Sequence, residues 1–186
     1  MNIMVVGVGG QGTLLTSRII GKTALMAGYD VKLSEVHGMA QRGGSVVTFV
    51  RYGDKVYEPV VEEGCVDLLI SFERLEALRY AHFLKKDGIM IVNDTRIDPM
   101  TVVIGAKTYP EGILDTLSAE HKVYTIDGGA VAGELGNSKV VNSVVLGLAA
   151  KHIGFDEEAW LDVLVSTVPP KTIEVNTAAF KAGYNN

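Results

Sequence analysis

Ile3-Met4-Val5-Val6 runs into Gly7-Val8-Gly9-Gly10-Gln11-Gly12, and Thr13-Leu14-Leu15 follows at once. Four apolar residues closed by glycine read as a short buried strand. Beyond the glycines, Leu14, Leu15, Arg18, Ile19, Lys22, Leu25 and Met26 recur at helical spacing, and Gly28 stands where a helix C-cap falls. A strand, a glycine loop and a helix in that order open an α/β unit.

Gly7, Gly9 and Gly12 satisfy G-x-G-x-x-G. Such a loop turns tightly, aims its amides outward, and places a helix N-terminus where an anion is favoured. Glu35 ends the next strand near the place of a ribose-binding carboxylate in a dinucleotide fold. That reading is open, and so is a plainer one in which the glycines only let the helix pack close to the strand. Against the dinucleotide stand the crowding by Gly10 and Gln11 and the second glycine loop that follows Glu35. A nucleoside-triphosphate loop fails, because Thr13 occupies the place of the phosphate-binding lysine. Gly21-Lys22-Thr23 lies mid-helix, with Thr16 where the first glycine of that motif belongs.

Downstream, strand and helix patterns alternate. Val31–Ser34, Val66–Ile70, Ile89–Val92, Val102–Ile104 and Val123–Ile126 read as strands. Ser45–Arg51, then Gly53-Asp54, then Lys55–Tyr57 read as a hairpin. Glu73–Leu84, Val140–His152 behind Asn137 or Ser138, a helix from Asp156 toward Val165, and Thr172–Ala182 read as helices, with a break at Pro169-Pro170. The pattern predicts an α/β fold, Rossmann-like and doubly wound, with a mainly parallel sheet and an added β-hairpin. A chain of 186 residues without repeat or linker predicts one domain, 1–186.

Composition narrows the function. Hydrophobic residues make up 47% and the mean hydropathy is +0.23, which suits a sheet buried on both faces or a subunit with a covered surface. A net charge of −5 without a basic block argues against nucleic acid or an anionic membrane as partner. The start shows no signal peptide, and no apolar run approaches the roughly 18 residues of a spanning helix. One cysteine, Cys65, excludes an internal disulfide and a cysteine-ligated metal centre, and suggests a reducing, cytoplasmic setting. Beside an apolar run, Cys65 reads as a small packed residue.

The second loop lies in Glu35-Val36-His37-Gly38-Met39-Ala40-Gln41-Arg42-Gly43-Gly44-Ser45. Gln41 and Arg42 offer an amide and a planar cation, and Gly43 and Gly44 a permissive backbone. The set can bind a carboxylate, a phosphate or another chain's carbonyls. An interface arginine serves equally well as an explanation.

Gly7–Gly12, Glu35–Val50, Tyr57-Glu58-Pro59, Phe72-Glu73 with Glu76-Ala77-Leu78-Arg79, and Asn176 with Ala179-Phe180 together resemble the gamma-type domain of 2-oxoacid:ferredoxin oxidoreductases, also called the pyruvate/ketoisovalerate oxidoreductase gamma domain. Within that family, they resemble the small, beta-type subunits of the indolepyruvate-directed members. The resemblance implies a subunit of a complex that oxidatively decarboxylates a 2-oxoacid to an acyl-CoA, with electrons passed to ferredoxin. It implies an arylpyruvate such as indolepyruvate as substrate, with pyruvate or 2-oxoisovalerate as alternatives. Thiamine diphosphate, magnesium and iron–sulfur clusters then belong to a large alpha subunit, CoA is a cosubstrate, and this chain alone holds no metal. It assigns Gly9, Gly10, Gln11 and Gly12 to one motif, and Gln41, Arg42, Gly43 and Gly44 to another, as cofactor-binding or partner-facing residues, and names no catalytic residue. Phe49 stands where some relatives carry histidine, and phenylalanine transfers no proton.

The histidines His37, His82, His121 and His152 lack metal-ligand spacing, and only His37 adjoins a motif. His82 and His152, late in helices, read as surface residues. Glu62-Glu63 reads as a solvated turn, and Asp156-Glu157-Glu158 as a helix start. Glu73, Glu76 and Arg79 read as surface pairs at i, i+3 spacing. A free-standing NAD(P)-binding oxidoreductase and a non-enzymatic adaptor remain as rival functions.

Overall fold

In the computed structural model, which describes residues 1–37 and 43–186, β1 (Asn2–Val8) is buried on both faces. Ile3 and Val5 point to one layer of helices, and Met4 and Val6 to the other. That alternation places β1 inside the sheet. The remaining elements are α1 (Thr13–Met26), β2 (Asp30–His37), β3 (Ser45–Gly53), β4 (Val66–Ser71), α2 (Arg74–Tyr80), β5 (Leu84–Asn93), α3 (Met100–Val103), α4 (Ile113–Glu120), β6 (Lys122–Ile126), α5 (Gly128–Glu134), α6 (Val141–Ile153), α7 (Glu157–Thr167) and α8 (Ile173–Tyr184).

The six strands form one mixed sheet in the order β2-β3-β1-β4-β5-β6. β1, β4, β5 and β6 run parallel, and β3 is antiparallel to both of its neighbours. The chain moves one way from β1 through α1 and the other way from β4 onward. The winding therefore reverses between β1 and β4, and ligand sites form at such a point. Ile19 and Ile20 of α1, Val144 and Leu148 of α6, Trp160 of α7 and Phe180 of α8 fill one layer. Leu75 and Ala77 of α2, with Ile113 and Leu117 of α4, fill the other.

The α/β reading holds, with three corrections. The hairpin is β2–β3, in register from Asp30↔Gly53 to His37↔Val46, and Lys55–Tyr57 is not a strand. Val46 to Val50 are buried on both faces and need a strand on each side. Tyr57 is 88% exposed and supplies nothing to bury. Val102–Ile104 belongs to the short helix α3 and its cap, because the Pro99 carbonyl accepts from the Val102 and Val103 amides. The helix expected over Glu73–Leu84 stops at Tyr80, and a 3₁₀ turn over Ala81–Phe83 delivers Leu84 to β5.

α6 and α8 touch at glycines. A Cβ on Gly147 would lie 2.0 Å from the Phe180 carbonyl oxygen, and one on Gly183 would lie 1.9 Å from that of Val144. Only glycine admits that approach.

Candidate functional site at the carboxyl edge of the sheet

β1 ends at Val8, β4 at Ser71 and β5 at Asn93, all at one edge. Ser45, the first residue of antiparallel β3, stands opposite Val8 at the same edge. The two glycine loops therefore meet. The Gly9 N–H donates to the Gly44 carbonyl at 2.8 Å, and the Gly43 N–H to the Gly9 carbonyl at 3.4 Å. Gly38, Met39, Ala40, Gln41 and Arg42, and the side chain of His37, lie outside the described residues.

Within the first loop, Gly10 and Gly12 take φ of +106° and +86°, where a side chain is strained. Gly12 also abuts Asn142, whose Cβ would be 3.1 Å from an added methyl. Gln11 is engaged inward. Its Oε1 accepts from the Val8 amide at 2.7 Å, and its Nε2 donates to the Phe72 carbonyl at 2.9 Å. It braces the end of β1 against the end of β4, with both ends of its amide used.

The composition of this edge includes residues that pattern reading passed over. Asn93, 1% exposed, donates to the Phe72 carbonyl at 3.2 Å and to Thr95 Oγ1 at 2.8 Å, and its Oδ1 accepts from the Gly128 amide at 2.9 Å. The signal for it was an asparagine closing the apolar run Ile91-Val92. Glu73 and Glu76 are buried at 1% and 4% exposure, which corrects their reading as surface groups. Only Arg79 of that trio reaches solvent. Glu73 caps α2 by accepting from the Glu76 amide, and it also takes the Ile97 amide at 3.1 Å and the Tyr109 hydroxyl at 2.5 Å. Burial and the Glu73 carboxylate together hold the Tyr109 phenol well above its ordinary range. Glu76 accepts from Ser45 Oγ at 2.5 Å and lies 3.3 Å from Arg79 Nε. Its burial pushes the carboxyl upward against the pull of Ser45 and Arg79.

A cleft of about 660 Å³ opens beside the first loop, walled by Gly10, Gln11, Asn93, Thr95, Lys139 and Asn142. A second hollow, of about 440 Å³, lies on the other side of the loop, between Gly12, Thr13, Glu35 and Val46. Both volumes suit a small-molecule group. The first offers hydroxyls, amides and one ammonium. The second borders the Glu35 carboxylate. That carboxylate is not on the strand next to β1, as a ribose ligand in a dinucleotide fold would be. β3 intervenes, and Glu35 sits two strands away, about 9–10 Å across the sheet at the usual spacing.

A family model described as pyruvate ferredoxin/flavodoxin oxidoreductase matches residues 2–186. The chain belongs to that family. It is 43% identical to indolepyruvate oxidoreductase subunit IorB of Thermococcus kodakarensis, over 98% of this chain and 93% of the relative. It is 26% identical to pyruvate synthase subunit PorC of Methanocaldococcus jannaschii, over 96% and 92%. The crystal structure of the keto/oxoacid ferredoxin oxidoreductase gamma subunit from Geobacter sulfurreducens superposes with a TM-score of 0.74 at 24% identity, covering 99% of this chain and 96% of that one. The chain is thus a small subunit of a multi-subunit 2-oxoacid:ferredoxin oxidoreductase.

Other family-linked positions are structural. Phe49 is buried beside Phe83, with ring centroids 6.0 Å apart. Asn176 accepts from the Ser143 hydroxyl at 2.6 Å and donates to the Thr172 carbonyl at 2.8 Å, which fixes α8 on α6. His152 is not a bare surface residue. Its ring packs tilted against Tyr124, with centroids 4.4 Å apart, and burial lowers its pKa. Cys65 is exposed rather than packed. A four-iron cluster asks for about four cysteine ligands, and the chain has one. Its residues do not fit such a group. Among the described residues no three His, Cys, Asp or Glu side chains converge on a metal position, and no helix is long and apolar enough to cross a membrane.

Proposed function

We propose that this chain is the small subunit of a cytoplasmic complex that oxidatively decarboxylates an arylpyruvate, with indolepyruvate the favoured substrate, to its CoA thioester and passes the electrons to ferredoxin. A large subunit carries thiamine diphosphate, magnesium and the iron–sulfur clusters. The observation that supports this most is the much higher identity to a subunit named for indolepyruvate than to one named for pyruvate, each over nearly the whole chain. The carboxyl edge, with Gly9, Gly10, Gln11, Gly12, Gly43 and Gly44, faces the partner's active site or CoA, and Gln41 and Arg42 of the second motif serve the same contact. Gly9, Gly10, Gly12, Gly43 and Gly44 shape the backbone there, Gln11 holds it, and Arg42 supplies the cation.

Reconstitution tests both halves. The lone chain is expected to be colourless and unable to reduce a viologen dye with any 2-oxoacid and CoA. Adding the large subunit should restore turnover, faster with indolepyruvate than with pyruvate. Iron–sulfur absorption or turnover in the lone chain would overturn the division of labour. Arg42→Lys keeps the charge but loses the bidentate fork, and it should lower assembly or rate tenfold or more, roughly 1.5–3 kcal/mol, with melting little changed. If melting, assembly and rate all stay at parental values, Arg42 is an ordinary surface residue.

A further inference from the structure

We infer that Glu76 is the positioning residue of the second loop: its buried carboxylate clamps Ser45, and through Ser45 it holds Gly43 and Gly44 against Gly9. The functional consequence rests on the reading of the carboxyl edge as the face turned to the partner's active site. Ser45 is the first side chain after two glycines, which have none with which to anchor themselves. Gly43 also takes φ +80°, a conformation it shares with freer backbones. Ser45 Oγ donates to Glu76 Oε2 at 2.5 Å, and the Tyr80 hydroxyl stands 3.1 Å from Ser45 Oγ. A hydroxyl bonded to a carboxylate is among the stronger hydrogen bonds. Glu76 is itself fixed, because its amide is held by the buried Glu73 side chain at 2.9 Å and its other oxygen faces Arg79.

A buried carboxylate is a poor way to glue a helix to a sheet, since an apolar side chain of similar size would pack α2 with less loss of hydration. What the carboxylate adds is a directional bond to one hydroxyl at the loop junction. The same short segment holds the first loop as well, through the Phe72 carbonyl and Gln11. Residues Phe72 to Tyr80 therefore touch both loops and set the spacing between them.

Amide exchange measured by NMR on the full 186-residue chain tests the clamp, with Gly9 and Gly43 as reporters. Glu76→Ala and Ser45→Ala should each speed exchange there by about tenfold, leaving Met4 to Val6 unchanged. The double variant should be no faster than either single one, because both remove the same bond. Glu76→Gln keeps an acceptor and should retain most of the protection. Should Glu76→Ala fail to fold, Ser45→Ala and Glu76→Gln carry the comparison. Unchanged exchange at Gly9 and Gly43 in Ser45→Ala, or additive effects in the double variant, overturns the clamp. In the reconstituted complex, Ser45→Ala should raise KM or weaken assembly severalfold, with Glu76→Gln close to parental. Faster exchange with KM, kcat and assembly all unchanged would leave the clamp standing and overturn the reading of this edge as the active-site face.

Discussion

Gln11 shows how one side chain of a family motif can hold two strand ends together. Its amide satisfies the Val8 N–H and braces the Phe72 carbonyl. Gln11→Leu would leave that N–H without its side-chain acceptor, while the Phe72 carbonyl keeps Asn93. The expected loss is about 1–3 kcal/mol of stability, read by urea unfolding of the lone chain. A residue whose work is ligand contact would instead leave unfolding untouched and reduce only the activity of the complex. Glu73 and Asn93 act at the same scale. Each is a polar group sealed under the site, bonded to backbone from more than one segment, and each fixes where the edge loops begin.

At the scale of elements, α6 and α8 meet backbone to backbone. Gly147 and Gly183 each face a backbone carbonyl, which cannot rotate aside as a side chain can. Gly183→Ala should therefore cost about 3 kcal/mol or more, at the upper end of overpacking effects, and lower the melting temperature by roughly 10 °C for a chain of this size. Gly10→Ala makes the contrast. Nothing lies within 4 Å of its added methyl, so only the φ of +106° opposes it. That strain is on the order of 1–2 kcal/mol and confined to the loop. Calorimetric melting of the two variants side by side checks the order, and equal shifts would contradict it. α6 matters beyond stability, since its first turn presents Asn142 to Gly12 and so forms a wall of the larger cleft.

For the whole molecule, the insertion of β3 between β1 and β2 decides what the glycine fingerprint can mean. The Gly9 amide is spent on Gly44, and the acidic residue that would hold a ribose stands two strands from β1. Calorimetry on the purified chain should detect no specific NAD(H) or NADP(H) binding. A dissociation constant in the low micromolar range, about −8 kcal/mol, would restore the dehydrogenase. The alternating apolar runs, the strand–glycine–helix opening and the paired loops were legible without coordinates, because buried strands and glycine turns are local demands on residue type. They sufficed for the α/β class and for the family. Strand order was not legible, since it is set by which apolar faces must be covered on both sides, and β3 found its two neighbours only in the folded sheet. α4 and α5 escaped notice for a related reason. α4 begins at a glycine in the left-handed region and α5 with Gly128-Gly129, so neither announces itself by propensity. The burial of Glu73 and Glu76 belongs to the tertiary structure alone. On a helix viewed by itself they are surface groups at i, i+3 spacing, and only the loops that close over α2 turn them into the fixed points of the site.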